Sequence, residues 1–226
     1  SVKYNIPEYS LESFAAEDGK VYKRPVMMDA GQVSDEGQPD LPSSSTFIAI
    51  NPEKTYSINV NIISSNVTEN IEILPKNSWD NNSEITFEKG ASYNHQGHYP
   101  EKIATISEPM TMRELSLVNL TVTPFRYHPQ EKRLEEFTEI EIELVETGES
   151  GDVPFRPLKR SRAFEPIYES YVANYAYLER DNIPYQRPSI LYVLPSNIGN
   201  LLGTVNVLMD WKRRVGYEVN YISSSS

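Results

Sequence analysis

The sequence predicts a mainly β fold: an antiparallel β-sandwich of jelly-roll type, followed by the opening βαβ unit of a parallel-sheet α/β domain. Three observations carry this prediction. Alternation of apolar and polar residues fills the first two-thirds of the 226 residues, the spacing at which strand side chains point to opposite faces. Clusters of Gly, Pro, Asn and Asp interrupt the alternation at turn spacing. Helical periodicity appears only in the last third, in part between two apolar runs of strand length.

Taken in order, residues 46–50 read as a strand after the turn cluster Gly37-Gln38-Pro39-Asp40. In 56–62, Tyr56, Ile58, Val60 and Ile62 alternate with Ser57, Asn59 and Asn61, so one face should be buried and the other wet. Shorter strands are expected at 70–74, 84–88 and 102–107. The run 113–123 has apolar residues on both sides, which predicts a strand covered on both faces. In 139–144, Glu139, Glu141 and Glu143 alternate with Ile140, Ile142 and Leu144, and these carboxylates are expected to line a solvated face.

After the basic stretch 156–162 the period changes. Phe164, Ile167, Tyr168, Tyr171, Val172 and Tyr175 share one helical face, with Pro166 near its start. Residues 181–188 read as a linker. Ile190-Leu191-Tyr192-Val193-Leu194 has the continuous apolar character of a buried parallel strand. An amphipathic helix over 198–214 ends in Lys212-Arg213-Arg214, with Gly216 placed to stop it, and 217–222 reads as the second strand. The domain boundaries predicted are 1–180, a linker at 181–188, and 189–226. One βαβ unit cannot cover both sheet faces, so more chain is expected to follow. The chain begins with Ser1 instead of Met, and a removed leader or trimming is expected.

Composition narrows the function classes. Net charge is −11, divided as −13 over residues 1–150 (25 acids, 12 bases) and +2 over 151–226 (7 acids, 9 bases). Nucleic-acid binding is not expected, because a phosphate footprint needs clustered Lys and Arg. No stretch reaches the ~20 apolar residues of a membrane-spanning helix. With no cysteine, disulfides, thiolate metal sites and a cysteine nucleophile are absent from these residues. His95-Gln96-Gly97-His98 reads as an exposed loop, and no metal site or cofactor is expected here. The Asn-x-Ser/Thr triplets at Asn66, Asn81 and Asn119 have meaning only in a eukaryotic secretory pathway. No phosphate loop or nucleophile elbow is present.

Four motifs in order resemble the front of gingipain-type (family C25) cysteine peptidases, over about residues 20–222. They are Gly37-Gln38-Pro39-Asp40-Leu41-Pro42 before a Ser-rich strand, and Val122-Thr123-Pro124-Phe125-Arg126-Tyr127-His128-Pro129 before Leu134 and the 140–144 strand. Next come Phe164-Glu165-Pro166-Ile167-Tyr168 with Asn174-Tyr175, and then Ile190-Leu191-Tyr192-Val193-Leu194 with Asp210-Trp211-Lys212-Arg213-Arg214-Val215-Gly216-Tyr217-Glu218-Val219.

The resemblance implies a β-sandwich propeptide and the start of a caspase-like catalytic domain. It further implies a latency-maintaining, folding-assisting role, export by a Gram-negative bacterium to the medium or cell surface, and the chain's own catalytic domain as partner. Calcium, if used, would belong to the catalytic domain beyond these residues. Catalytic His and Cys are implied beyond Ser226, so no catalytic residue is assigned here. Processing or inhibitory candidates are Arg180, then Arg187, then Arg160 and Arg162. The competing expectation is a secreted β-sandwich module binding carbohydrate or a protein, for which Tyr93, Tyr99 and Tyr127 would form an exposed aromatic row.

Overall fold

The computed structural model describes residues 2–15, 19–32, 34–79, 85–86, 88–94, 97–150, 159–178 and 185–223. The chain divides into two compact units, Ser1–Phe155 and Arg156–Ser226.

In the first unit, β1 (Val2–Asn5), β2 (Tyr9–Ala15), β3 (Val21–Met27), β4 (Gly31–Gln32), β5 (Pro42–Ile50) and β6 (Lys54–Thr68) are followed by the short β7 (Ser78–Trp79) and β8 (Ile85–Thr86). Then come β9 (Ala104–Ile106), β10 (Met110–Met112), β11 (Leu115–Val122), β12 (Phe125–His128) and the 17-residue β13 (Arg133–Glu149). Two antiparallel sheets dominate. In one, β13 pairs along its length with β6, and on its other edge with β12 and then β1. In the other, β11 lies between β5 and the successive β10 and β9, and β4 extends β5. A β2–β3 hairpin stands as its own two-stranded sheet.

The main core lies between the two sheets. Ile48, Val118, Leu120 and Val122 from one meet Phe137, Ile140 and Ile142 from the other, all at most 6% exposed. Burying each of these side chains contributes roughly 1.5–3 kcal/mol. Residues 115–118 are buried on successive positions, so β11 is covered on both faces as its sequence indicates. In β13 the buried positions run Leu134, Phe137, Ile140, Ile142. The step from Leu134 to Phe137 is a change of cluster, since Leu134 packs in a second core, whereas the step from Phe137 to Ile140 crosses the register shifts between Phe137, Glu139 and Ile140. Glu139, Glu141 and Glu143 are half-buried or exposed and face away from that core, and Glu139 approaches Lys3 at 4.0 Å.

A second core cluster gathers Met27, Leu41, Ile71, Ile73, Phe125, Leu134, Tyr93 and Tyr127. Residues 70–74, expected as a strand, form no strand. Their backbone is held by Lys23, Lys132 and Asp40 instead: the Lys23 N–H donates to the Glu72 carbonyl, the Leu74 N–H to the Lys23 carbonyl, the Ile71 N–H to the Lys132 carbonyl and the Asp40 N–H to the Leu74 carbonyl. The alternation there reports burial of Ile71 and Ile73 without ladder pairing. The N-terminal strands β1 to β3 lack clean alternation, and the sequence alone does not reveal them.

The Gly37–Pro42 motif has a mechanical role. Gly37 has φ +75°, and a Cβ there would lie 3.0 Å from the Gly90 nitrogen. The Gly90 N–H donates to the Gly37 carbonyl at 2.7 Å, and a Cβ on Gly90 would meet that oxygen at 2.9 Å. The Gly37 N–H donates to Lys76 and the Lys76 N–H to Gln38. Two glycines therefore let two backbones touch, and the motif seams three loops together.

In the second unit, α1 (Glu165–Tyr171) stops at Val172, whose backbone is extended, and a 3-10 turn follows at Tyr175–Tyr177. The stripe from Phe164 to Tyr175 thus spans a break, because Tyr, Ser and Val favour helix weakly and no side chain caps its start. Tyr168, Val172 and Tyr175 are nonetheless buried. Next, β14 (Ser189–Leu194) pairs in parallel with β15 (Glu218–Ser223), joined through α2 (Leu201–Arg214), the βαβ unit the sequence predicts. Three cations occupy the last turn of α2, and Gly216, at φ +98°, turns the chain after it. Leu191, Val193, Val207, Trp211 and Tyr221 are 50–71% exposed, so much of this unit's apolar surface is bare.

Candidate processing segment and docking surface

Four arginines were singled out by sequence, and the structure places three of them. Arg160 is 5% exposed, bridges Tyr185, and accepts the Gln186 N–H on its carbonyl at 2.6 Å. Its guanidinium lies 5.9 Å from the Tyr175 ring centroid. Arg162 is exposed and stacks at 5.0 Å over the Tyr185 ring. Arg187 is exposed, but the peptide bond after it is to Pro188, a tertiary amide with no N–H and a fixed φ. The Pro188 carbonyl also accepts the Glu218 N–H at 2.8 Å. Arg180 and the rest of 179–184 lie outside the described residues.

The first unit offers a different kind of surface. Among the described residues, β6 pairs only with β13, so its other edge is open. Residues 55–68 carry no formal charge at all. Edge strands are ordinarily protected by charge, proline or a bulge; residues 55–68 have neither of the first two, and a single bulge at Ile63, between Ile62 and Ser64, which pair with Ile140 and Glu139. The apolar face expected to be buried is covered only near its start. Tyr56 and Ile58 are half-buried, whereas Val60, Ile62, Ile63 and Val67 are 38–51% exposed. Between β6 and β9 lies a groove of about 560 Å³, lined by Tyr56, Ile58, Val60 and Ile62 on one side and by Ile103 to Ile106 on the other, with Arg126 at its margin. The Arg126 guanidinium rests 5.3 Å from the Phe137 ring centroid and 3.8 Å from a Glu135 oxygen.

The proposed aromatic row does not exist as a surface. Tyr93 and Tyr127 are 7% and 1% exposed, with Tyr99 half-buried. Their spacing in sequence reflects core packing: Tyr93 Oη donates to the Ile73 carbonyl at 2.8 Å and Tyr127 Oη to that of Ile71 at 3.1 Å. Burial pushes the Tyr127 hydroxyl up to about 12 and raises that of Tyr93 further. The sequence signal that could have exposed this was the apolar partner set on 70–74 and 134, which needs two large rings to cover it.

His98 is exposed and lies beside His128, while His95 and Gln96 are outside the described residues. Among the described residues no group of three or more His, Asp or Glu side chains is gathered to hold an ion. No described helix is long and apolar enough to cross a membrane. Asn66 stands on exposed β6, Asn119 is half-buried within β11, and Asn81 is outside the described residues.

Residues 1–175 match the Propeptide_C25 family model. Gingipain R2 of Porphyromonas gingivalis (strain ATCC 33277) is 28% identical over 200 residues, covering 85% of this chain and 27% of its own length. Gingipain R2 of strain W83 is 31% identical over 159 residues, 67% of this chain and 21% of its own. The chain thus spans about a quarter of the length of these relatives. The solved complex of Porphyromonas gingivalis RgpB pro- and mature domains superposes with a TM-score of 0.63 at 24% identity, covering 78% of this chain and 91% of that one. At that identity the likeness speaks for the fold, which is the same mainly antiparallel β architecture seen here. The family itself is fixed by the match over 1–175: this chain belongs to the Propeptide_C25 family, the propeptides of gingipain-type cysteine peptidase precursors.

Proposed function

We propose that this chain is the N-terminal part of a secreted cysteine endopeptidase precursor of a Gram-negative bacterium, and that its first unit keeps the catalytic domain latent and helps it fold. The observation that carries this is the open edge of β6, uncharged over residues 55–68, beside the 560 Å³ groove. In a family of propeptides, an edge strand whose residues 55–68 carry no charge is suited to strand addition and apolar docking by the chain's own catalytic domain. Latency arises by occlusion: while the sandwich covers the cleft, substrate has no access. The chain contains no cysteine, so it cannot itself form a thioester acyl-enzyme.

Release follows proteolysis at Arg180, between Leu178, the last described residue of the helical segment, and the Tyr185 bridge. Arg160 is buried, Arg187 precedes proline, and Arg162 is exposed but stacked, which leaves Arg180 first. The test is to add the 226-residue chain to the mature catalytic domain of the same precursor and titrate peptidase activity. Inhibition at micromolar concentration or below is expected, and undiminished activity would reject the reading. In the full precursor, Arg180→Ala should block separation of the two parts as followed by intact mass; normal separation at another bond would reject the assignment of Arg180 alone.

A further inference from the structure

We propose, on the reading that the catalytic domain docks along β6, that the docking segment carries an Asp or Glu whose carboxylate is received by Arg126 and Lys102 at one end of the groove. Strand alternation directs Arg126 there. Phe125 and Tyr127 on either side of it belong to the second core, so Arg126 turns to the opposite face of β12 and reaches the groove margin.

The protein leaves this guanidinium incompletely served. Its Nε is buried and has no hydrogen-bond acceptor. Its Nη1 lies 3.8 Å from Glu135 Oε2, an ionic contact too long for a hydrogen bond. That carboxylate is already shared, because Glu135 Oε1 accepts from Arg133 Nη1 at 2.5 Å. The Phe137 ring supports the guanidinium through its π face and supplies no anion. A planar fork of donors in this condition is suited to a carboxylate brought in by a partner.

The groove also has a direction. Ile58 pairs with Leu144 and Ser65 with Phe137, so Arg126, over Phe137, lies towards the Ile62 end. On the facing side a neighbouring recess joins Ile106 to Tyr56, which leaves Lys102 and Ile103 at the same Ile62 end. One end is therefore apolar and the other carries two cations. Lys102 is exposed, and residues 55–68 offer no anion to either cation. A strand added along 55–62 ends at the bulge at Ile63. Its residues opposite Ile58, Val60 and Ile62 face the groove, since directly paired side chains share a face. The segment that fits is extended, apolar opposite Ile58 and Val60, and acidic opposite Ile62.

The test titrates variants of the 226-residue chain against the mature catalytic domain of the same precursor. Arg126→Met, which keeps an aliphatic stem on Phe137, should raise the inhibition constant at least about tenfold, and Lys102→Glu at least about fivefold, with partial recovery in Arg126→Lys. Raising salt from about 0.05 to 0.5 M should weaken the parent more than Arg126→Met. On the catalytic domain, one Asp→Asn or Glu→Gln substitution should reproduce the loss, and joining it to Arg126→Met should add less than about twofold. Denaturant melts check that each variant folds; if Arg126→Met does not, Lys102→Glu at its exposed position decides. Inhibition abolished by Ile62→Lys but unchanged by Arg126→Met and Lys102→Glu overturns the carboxylate proposal and leaves docking along β6 standing. No inhibition by the parent rejects the docking reading itself, and the proposal with it. A dimer of the free chain that Arg126→Met dissociates, seen by light scattering, makes a second copy the occupant and also overturns it.

Discussion

Asp40 lies 1% exposed, 3.7 Å from an Arg24 nitrogen and 3.8 Å from Lys76 Nζ. Its contacts with both cations are ionic and too long for hydrogen bonds. Burial, the larger effect, raises its carboxyl above the ordinary value despite the two cations. A carboxyl raised in the folded state binds its proton more tightly there, so its contribution to stability is full below the unfolded value and is lost as pH rises through the folded one. Asp40→Asn should remove that loss. Urea unfolding from about pH 3 to 7 should show the variant gaining on the parent as pH rises, because Arg24 and Lys76 are only part-buried and can rehydrate. The neighbouring Gly37 offers a second check. Gly37→Ala adds strain at φ +75° and a clash with Gly90, and should cost about 2–3 kcal/mol. Gly203→Ala in α2, where a Cβ meets nothing within 4 Å, should cost nothing and add about 0.5–1 kcal/mol of helix stability. Both are read by denaturant melts. At this scale the sequence spoke unevenly: the Gly-x-Pro-x-Leu-Pro string was visible, but its partner Gly90 lies about fifty positions away and only the fold joins them.

Strands and helices were legible where one periodic face meets one core. The two-sided burial of β11 and the α2 terminus at Gly216 follow from local pattern and stereochemistry. Bulged β13 and broken α1 were less legible, since register shifts and weak helix formers leave the apolar positions intact while changing their spacing. β6 shows the opposite limit. Its alternation is that of a half-buried strand, yet Val60 and Ile62 remain exposed because the facing β9 is only three residues long. If this face docks, Ile62→Lys should reduce inhibition of the catalytic domain at least tenfold, while the unfolding midpoint of the free chain stays within about 0.5 kcal/mol of the parent. Retained inhibition by a folded Ile62→Lys chain would place docking elsewhere.

Over the whole molecule, the change of charge near residue 150 falls close to the junction between the two units at Phe155 and Arg156. The family match nevertheless runs on to residue 175, so the helical segment is grouped with the propeptide by descent and with the βαβ unit by packing. Period and charge made the two parts readable; which part the segment packs with depends on long-range contacts that no local pattern encodes. Amide exchange should divide the same way. Protection should be greatest in β5, β11 and β13 and weakest in β14 and β15, which form a two-stranded sheet; equal protection would contradict this ranking. A freed first unit would also carry its open edge into solution. Each copy offers another the free edge of β6, and the repulsion of a −13 segment opposes that pairing. Raising salt from about 0.05 to 1 M shortens the screening length to roughly 3 Å and should turn a monodisperse solution into growing aggregates in light scattering. The lifetime of a discharged propeptide is therefore a colloidal property, set by ionic strength and concentration.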